Sequence, residues 1–288
     1  MALLHVIILA IVQGMAELLP VSSSAHVIVA EKLMGMDPSS PEMTLLLVML
    51  HTGTMMAVIV YFWRRWYRAF FSKKLDFRYF LVALILAVIM TGVVGGGIIE
   101  AIEKGLLRHV AHAWVEQLFS RMDLIAVALA GAGILILIAG LLEGRASEPP
   151  PVGPDIRSGQ ALWIGAVQGL CLPFRGFSRS GATISTGMLT GVPKVRAEDF
   201  SFALAVILTP AADAREAWRL FESQNQLAPQ LAFGVGTSLL GALFAFLAGL
   251  LALKWLSRWL EEGRWYRFGI YCLIAAGVVA FLHFHFGY

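Results

Sequence analysis

The side chains able to do acid–base or anion chemistry gather in two short stretches of this chain, "QGMAELLPVSSSAH" (residues 13–26) and "RGFSRSGAT" (residues 175–183). In the first, Gln13 and Glu17 are four residues apart and share one helical face directed toward the polar run Ser22, Ser23, Ser24 and His26. In the second, Arg175 and Arg179 bracket Gly176 and Ser178, and Ser180 and Thr183 follow. The serines stand where apolar helices begin, before "AHVIVAEKL" and "GATISTGML", the place of N-cap residues. A helix N-terminus presents unpaired N–H groups and partial positive charge, so two such ends facing one cavity make an anion site. Arg179 adds a full charge whose planar fork suits phosphate.

Each of these residues also has a plainer reading. Serine N-caps are ordinary, although a pair of them with an arginine in an apolar interior is not, because a buried cation is costly and usually functional. A carboxylate beside an anion site repels bare phosphate, so Glu17, with Gln13, either holds a divalent cation or acts as a base; otherwise it is a structural partner for Arg179. His26 either exchanges protons near neutral pH or is a satisfied interior histidine. Ser23 is a nucleophile or only a phosphate ligand.

Other polar features carry less chemistry. "GVVGGGII" (residues 92–99) lies in an apolar run and serves close helix packing rather than nucleotide binding. His109 with His112, and His283 with His285, lack companion ligands for a metal. "FWRRWYR" (residues 62–68) is an interfacial belt, and Cys171 and Cys272 are packing residues in apolar surroundings.

The elements that position these groups follow from composition. Of 288 residues 58% are hydrophobic and 14% charged, and the mean hydropathy is +0.76, which describes a polytopic membrane protein and excludes a soluble domain. A net charge of +3, with the basic residues flanking apolar runs, speaks for topology signals and against a nucleic-acid partner. The opening "MALLHVIILAIVQG" has no basic leader and no cleavage pattern, and is read as mature structure.

Six full crossings are expected at about 43–63, 79–100, 122–142, 197–217, 230–253 and 266–286. Residues 2–34 and 159–191 are each split by a polar tip into two helices too short to span, and so read as re-entrant hairpins. "VQGMAELLPVSSSAH" from Val12 and "VQGLCLPFRGFSRSGAT" from Val167 resemble each other, and each precedes three crossings. The single integral membrane domain, residues 1–288, therefore reads as two repeats, 1–142 and 159–288, joined by a proline-rich linker over 143–158. An odd number of crossings per repeat inverts the second copy. Fourteen Lys/Arg fall on one side of this map and six on the other, which makes the first side cytoplasmic and lets the hairpins enter from opposite faces, with their tips meeting near the midplane. The fold class expected is all-α, six transmembrane helices plus two re-entrant hairpins in an inverted repeat.

With these residues in view, the chain resembles the undecaprenyl-pyrophosphate phosphatase family of bacterial inner membranes, the bacitracin-resistance type. That family carries an acidic-or-Gln-x-x-x-Glu motif running into Pro-Val-Ser-Ser, matched by Gln13, Glu17, Ser22, Ser23 and His26. Its Pro-Gly-x-Ser-Arg-Ser-x-x-Thr motif is matched by Gly176, Ser178, Arg179, Ser180 and Thr183. Gln13 stands where many members have a second glutamate, and Arg175 where the second motif has proline. The resemblance covers essentially the whole chain. It implies removal of the terminal phosphate from undecaprenyl pyrophosphate to regenerate the monophosphate carrier of cell-wall synthesis, with Mg²⁺ or Ca²⁺ as cofactor. The catalytic residues implied are Glu17, His26, Ser23 and Arg179. Ser22, Ser24, Gly176, Ser178, Ser180, Thr183 and Arg175 would bind phosphate, and Glu17 and Gln13 the metal. The implied partners are the polyprenyl pyrophosphate lipid and the bilayer, the cavity opens to the periplasm, and a homodimer is compatible with this reading. Inverted repeats with helix ends at the midplane are also transporter architecture, so a polyprenyl phosphate transporter or flippase is the alternative.

Overall fold

A computed structural model describes residues 3–36, 40–71, 74–106, 118, 121–142, 156–223 and 228–286. His109, His112 and most of the linker lie outside the described residues. Without water to pair with backbone N–H and C=O groups, an apolar chain satisfies them within helices. The described residues form ten α-helices and no strand: α1 Leu3–Leu18, α2 Ser23–Leu33, α3 Pro41–Phe71, α4 Lys74–Ala101, α5 Met122–Leu142, α6 Ser158–Leu170, α7 Arg179–Leu189, α8 Lys194–Ser223, α9 Ala228–Glu261 and α10 Tyr266–Phe286. The chain past α4 widens into a π turn, Ile102–Leu106.

Among the described residues five stretches are long and apolar enough to cross a membrane, by length and composition: Met43–Arg68, Phe77–Gly105, Met122–Leu142, Gly236–Glu261 and Tyr266–His285. The sixth expected crossing, 197–217, lies in the 30-residue α8, but Glu198, Asp199, Asp213 and Arg215 keep it out of that class. α8 also contains Pro210, which cannot donate the helical i→i−4 bond. Both split segments are helix pairs, α1–α2 and α6–α7, with members of 16, 11, 13 and 11 residues.

The chain divides into two compact units, and each draws on both halves of the sequence. One comprises Met1–Leu19, Ser23–Trp63 and Ala205–Leu256. Its core joins Val6, Leu9 and Ala10 of α1, Val27 of α2, Met43, Leu46 and Leu50 of α3, and Ala245 of α9. At Gly14 a Cβ would lie 2.6 Å from the carbonyl oxygen of Ala245, so only glycine lets α1 approach α9 this closely.

The other unit comprises Pro20–Ser22, Arg64–Leu204 and Ser257–Tyr288. Here α4 packs on α6, α5 on both α10 and α7, and α6 on α7. The Thr91 hydroxyl of α4 donates to the carbonyls of Ala87 (2.8 Å) and Gly165 (3.0 Å) and accepts from Gln168 Nε2 (3.1 Å), pinning α6 to α4 with polar groups that lipid would not satisfy. Trp265, fully buried, donates from Nε1 to Ser185 Oγ at 3.0 Å and so fixes α7. At one end Arg65 bonds Asp199 (2.6 Å) and Glu198 (2.7 Å), both nearly fully buried, and Ser257 donates to Glu198 at 2.6 Å. Removing Arg65 would leave two buried carboxylates without their shared cation, a destabilisation of about 3 kcal/mol.

Candidate active site

α1 carries its polar groups on one stripe because Gln13 and Glu17 are one helical turn apart. The helix stops at Leu18, the turn passes Pro20, and α2 starts at Ser23. Ser22 makes the corner with φ +69°, a left-handed conformation that a residue with a Cβ adopts only at a cost. This corner turns Ser23 back onto α1. Ser23 Oγ donates to Glu17 Oε2 at 2.5 Å, and Gln13 Nε2 donates to the same oxygen at 3.2 Å. Gln13 is fully buried and Glu17 largely so, with 10% of its side chain exposed, which strengthens each of these bonds. Ser24 and His26, on the first turn of α2, are half-buried.

Two residues outside the motif complete this cluster. His51 of α3 places Nε2 3.8 Å from Glu17 Oε2, and its Nδ1 lies 3.1 Å from Asp213 Oδ1 of α8. Sequence reading passed over both, since one sits in the apolar run "LLLVMLHTGTMM" and the other within the expected crossing 197–217. The available signal was a lone ionisable residue within an apolar run, which in a membrane helix points to function.

The second tip is built differently. Gly176 turns the corner with φ +104°, and a Cβ there would lie 2.6 Å from the Ile125 carbonyl oxygen. Ser178 caps α7, its Oγ accepting from the Gly181 N–H at 3.3 Å. Arg179 is the first residue of α7 and half-buried, as is Arg175. Ser180 is buried. The Thr183 hydroxyl faces the Arg179 carbonyl at 2.9 Å and Ser201 Oγ of α8 at 2.5 Å, so it ties α7 to α8. The residues of each tip thus come together locally. One cluster offers a carboxylate in contact with a hydroxyl, the other a helix N-terminus with an arginine on it.

Among the described residues no three of His, Cys, Asp and Glu converge as metal ligands. With its amide nitrogen toward Glu17, Gln13 holds the carboxylate as a donor, and ligation through its oxygen requires the amide turned over. Glu17 alone still fits a hard cation of the kind bound by one or two carboxylates together with substrate phosphates. His285 stacks on Phe281 at 5.2 Å between ring centres, an aromatic contact at the end of α10.

Comparison with known proteins follows the same residues. A family model described as bacitracin resistance protein BacA matches residues 6–279. The chain is 55% identical over 283 residues to undecaprenyl-diphosphatase 2 of Acinetobacter baylyi, with 97% of each chain covered. It is 33% identical over 286 residues to undecaprenyl-diphosphatase 2 of Burkholderia orbicola and to undecaprenyl-diphosphatase 1 of Burkholderia pseudomallei, with 96% of this chain and 95% of each relative covered.

Proposed function

The chain belongs to the bacitracin resistance protein BacA family, and from that membership and the geometry around Glu17 we infer that it is an undecaprenyl-diphosphatase. It is a multi-pass membrane protein whose substrate is a lipid: the polyprenyl tail lies among apolar helices while the pyrophosphate reaches the polar tips. The reaction removes the terminal phosphate and returns the lipid monophosphate.

The observation that carries the mechanism is the 2.5 Å bond from Ser23 Oγ to Glu17 Oε2. A serine hydroxyl is a weak nucleophile until a base takes its proton, and here a largely buried carboxylate is already in place to do so. Ser23 Oγ forms a bond to the terminal phosphorus as its proton passes to Glu17. The bridging P–O bond breaks, and undecaprenyl phosphate leaves. The leaving lipid phosphate carries that proton away from Glu17; water then attacks the phosphoserine, giving a proton to Glu17, and Glu17 returns it to the serine oxygen as the P–Oγ bond breaks. His26, one turn beyond Ser23 on α2, sits where it can exchange protons with phosphate oxygens.

On the motifs, the α7 N-terminus and Arg179 are assigned to the charge that spreads over the phosphoryl oxygens, since phosphoryl transfer depends on positioning and charge neutralisation. Ser22, Ser24, Arg175, Gly176 and Ser180 are assigned to phosphate through hydroxyl, guanidinium or backbone N–H; Ser178 and Thr183 act by holding α7. Glu17, together with pyrophosphate oxygens, would hold Mg²⁺ or Ca²⁺, which would supply neutralisation of phosphate charge. The two short helix pairs support re-entrant hairpins in an inverted repeat, with α8 as the sixth crossing. The excess of Lys/Arg on the linker side supports a bacterial inner-membrane orientation in which the α1–α2 hairpin opens to the periplasm.

Purified protein in detergent with undecaprenyl pyrophosphate and Mg²⁺ or Ca²⁺ should release inorganic phosphate. A phosphorylated Ser23 trapped at early times supports the serine pathway, and full turnover by Ser23→Ala would exclude it. No phosphate release, with lipid phosphate movement across vesicles instead, would replace the enzyme by a transporter.

A further inference from the structure

We propose that Asp213 and His51 are positioning residues, forming a carboxylate–imidazole support that holds the Glu17 carboxylate against the Ser23 hydroxyl. The proposal rests on the phosphatase reading and adds two residues from outside both motifs. Two donors meet at one oxygen, Glu17 Oε2, Ser23 Oγ at 2.5 Å and Gln13 Nε2 at 3.2 Å, and His51 Nε2 lies 3.8 Å from it. The other ring nitrogen of His51 contacts Asp213 Oδ1 at 3.1 Å. A line Asp213–His51–Glu17–Ser23 therefore draws one residue from each of α8, α3, α1 and α2.

Its chemistry depends on which nitrogens carry protons. An aspartate at Nδ1 requires a proton there, which fixes the ring's tautomer and orientation. With the ring so fixed, its Nε2 edge is set against the Glu17 carboxylate at 3.8 Å and limits rotation of that carboxylate away from Ser23, without touching the substrate. Asp213 is largely buried, with 13% of its side chain exposed, while His51 keeps 29% exposed, the opening through which added imidazole would enter in His51→Ala.

The carboxylate–histidine pair also has a structural cost to justify. A histidine in the apolar stretch Val48 to Ala57 of α3 and an aspartate in α8, one turn past Pro210, are each expensive in a membrane helix. Each of the two side chains answers the other's cost, and their shared product is a fixed Glu17.

The test compares kcat and KM for phosphate release from undecaprenyl pyrophosphate by the purified wild type, His51→Gln, His51→Ala, Asp213→Asn and Asp213→Glu. Positioning predicts that His51→Gln and Asp213→Asn lower kcat about 10- to 100-fold at unchanged KM, the usual effect of losing a partner that orients a reacting group. Asp213→Glu should recover most of that loss, and added imidazole should raise the kcat of His51→Ala, neither of which a purely structural role would produce. Wild-type kcat in His51→Gln and Asp213→Asn would overturn the proposal while leaving the phosphatase reading intact. So would a loss expressed wholly in KM, or one that Asp213→Glu shares in full. A wild type that releases no phosphate would take down both.

Discussion

The two tips begin with the same three residues, Val-Gln-Gly, and differ in polar character four residues after the glutamine. Gln13 is followed by Glu17 and donates to it at 3.2 Å. Gln168 is followed at the same spacing by Leu172, and donates instead to Thr91 of the neighbouring α4 at 3.1 Å. The glycine that follows serves the same end in both: a Cβ on Gly14 would meet the Ala245 carbonyl at 2.6 Å, and one on Gly169 would meet Val94 Cβ at 2.8 Å. Both chains then turn through a left-handed residue, Ser22 at φ +69° and Gly176 at φ +104°. The shared scaffold packs a short helix tightly and reverses it. On that scaffold the first tip carries Glu17 in contact with a hydroxyl, whereas the second has Leu172 at the matching place and Arg179 at its helix start.

That division of labour can be broken at four points. Glu17→Gln keeps the shape of the acid but cannot take a proton from Ser23, and kcat should fall about 1,000-fold, within the range of a lost general base; a near-normal kcat would remove Glu17 from the chemistry. Arg179→Ala should lower kcat/KM about 100-fold through a raised KM as well as kcat, as for one charged partner of phosphate. If instead Arg179→Ala altered kcat alone, the second tip would not be the anion-holding one. Gly176→Ala places a Cβ against the Ile125 carbonyl in a conformation that disfavours it, and should cost about 3 kcal/mol, read as a lower Tm in detergent. Ser22→Gly removes the same kind of strain and should raise stability by about 1 kcal/mol. A rise in KM accompanying that gain would identify the Ser22 hydroxyl as a phosphate ligand, and an unchanged KM would assign its role to the backbone.

Much of this arrangement is legible in the residues. The six expected crossings fall within α3, α4, α5, α8, α9 and α10, because apolar runs of bilayer length leave the backbone little choice but helix. The breaks in both short helix pairs were marked by proline, glycine and serine, which end one helix and cap the next. Contact between Glu17 and Ser23 is less obvious, since it depends on a serine adopting a left-handed φ. Thr183 was read as a phosphate ligand on its motif, and the structure shows its hydroxyl engaged with Ser201 and the Arg179 carbonyl. A hydroxyl on a helix can turn inward or outward, and spacing alone does not say which.

The sequence by itself determined the solvent, the helices and the two tips, because hydropathy and local turn chemistry act over a few residues to a few turns. It also determined the kinds of group available at each tip. Tertiary structure decided which of them act together. His51 and Asp213 are 162 residues apart and meet only because the parts of α3 and α8 that carry them belong to one unit. Thr91 and Gln168, 77 residues apart, likewise meet through the packing of α4 on α6. A buried polar group must find a partner wherever packing brings one, and no local pattern encodes that partner's address.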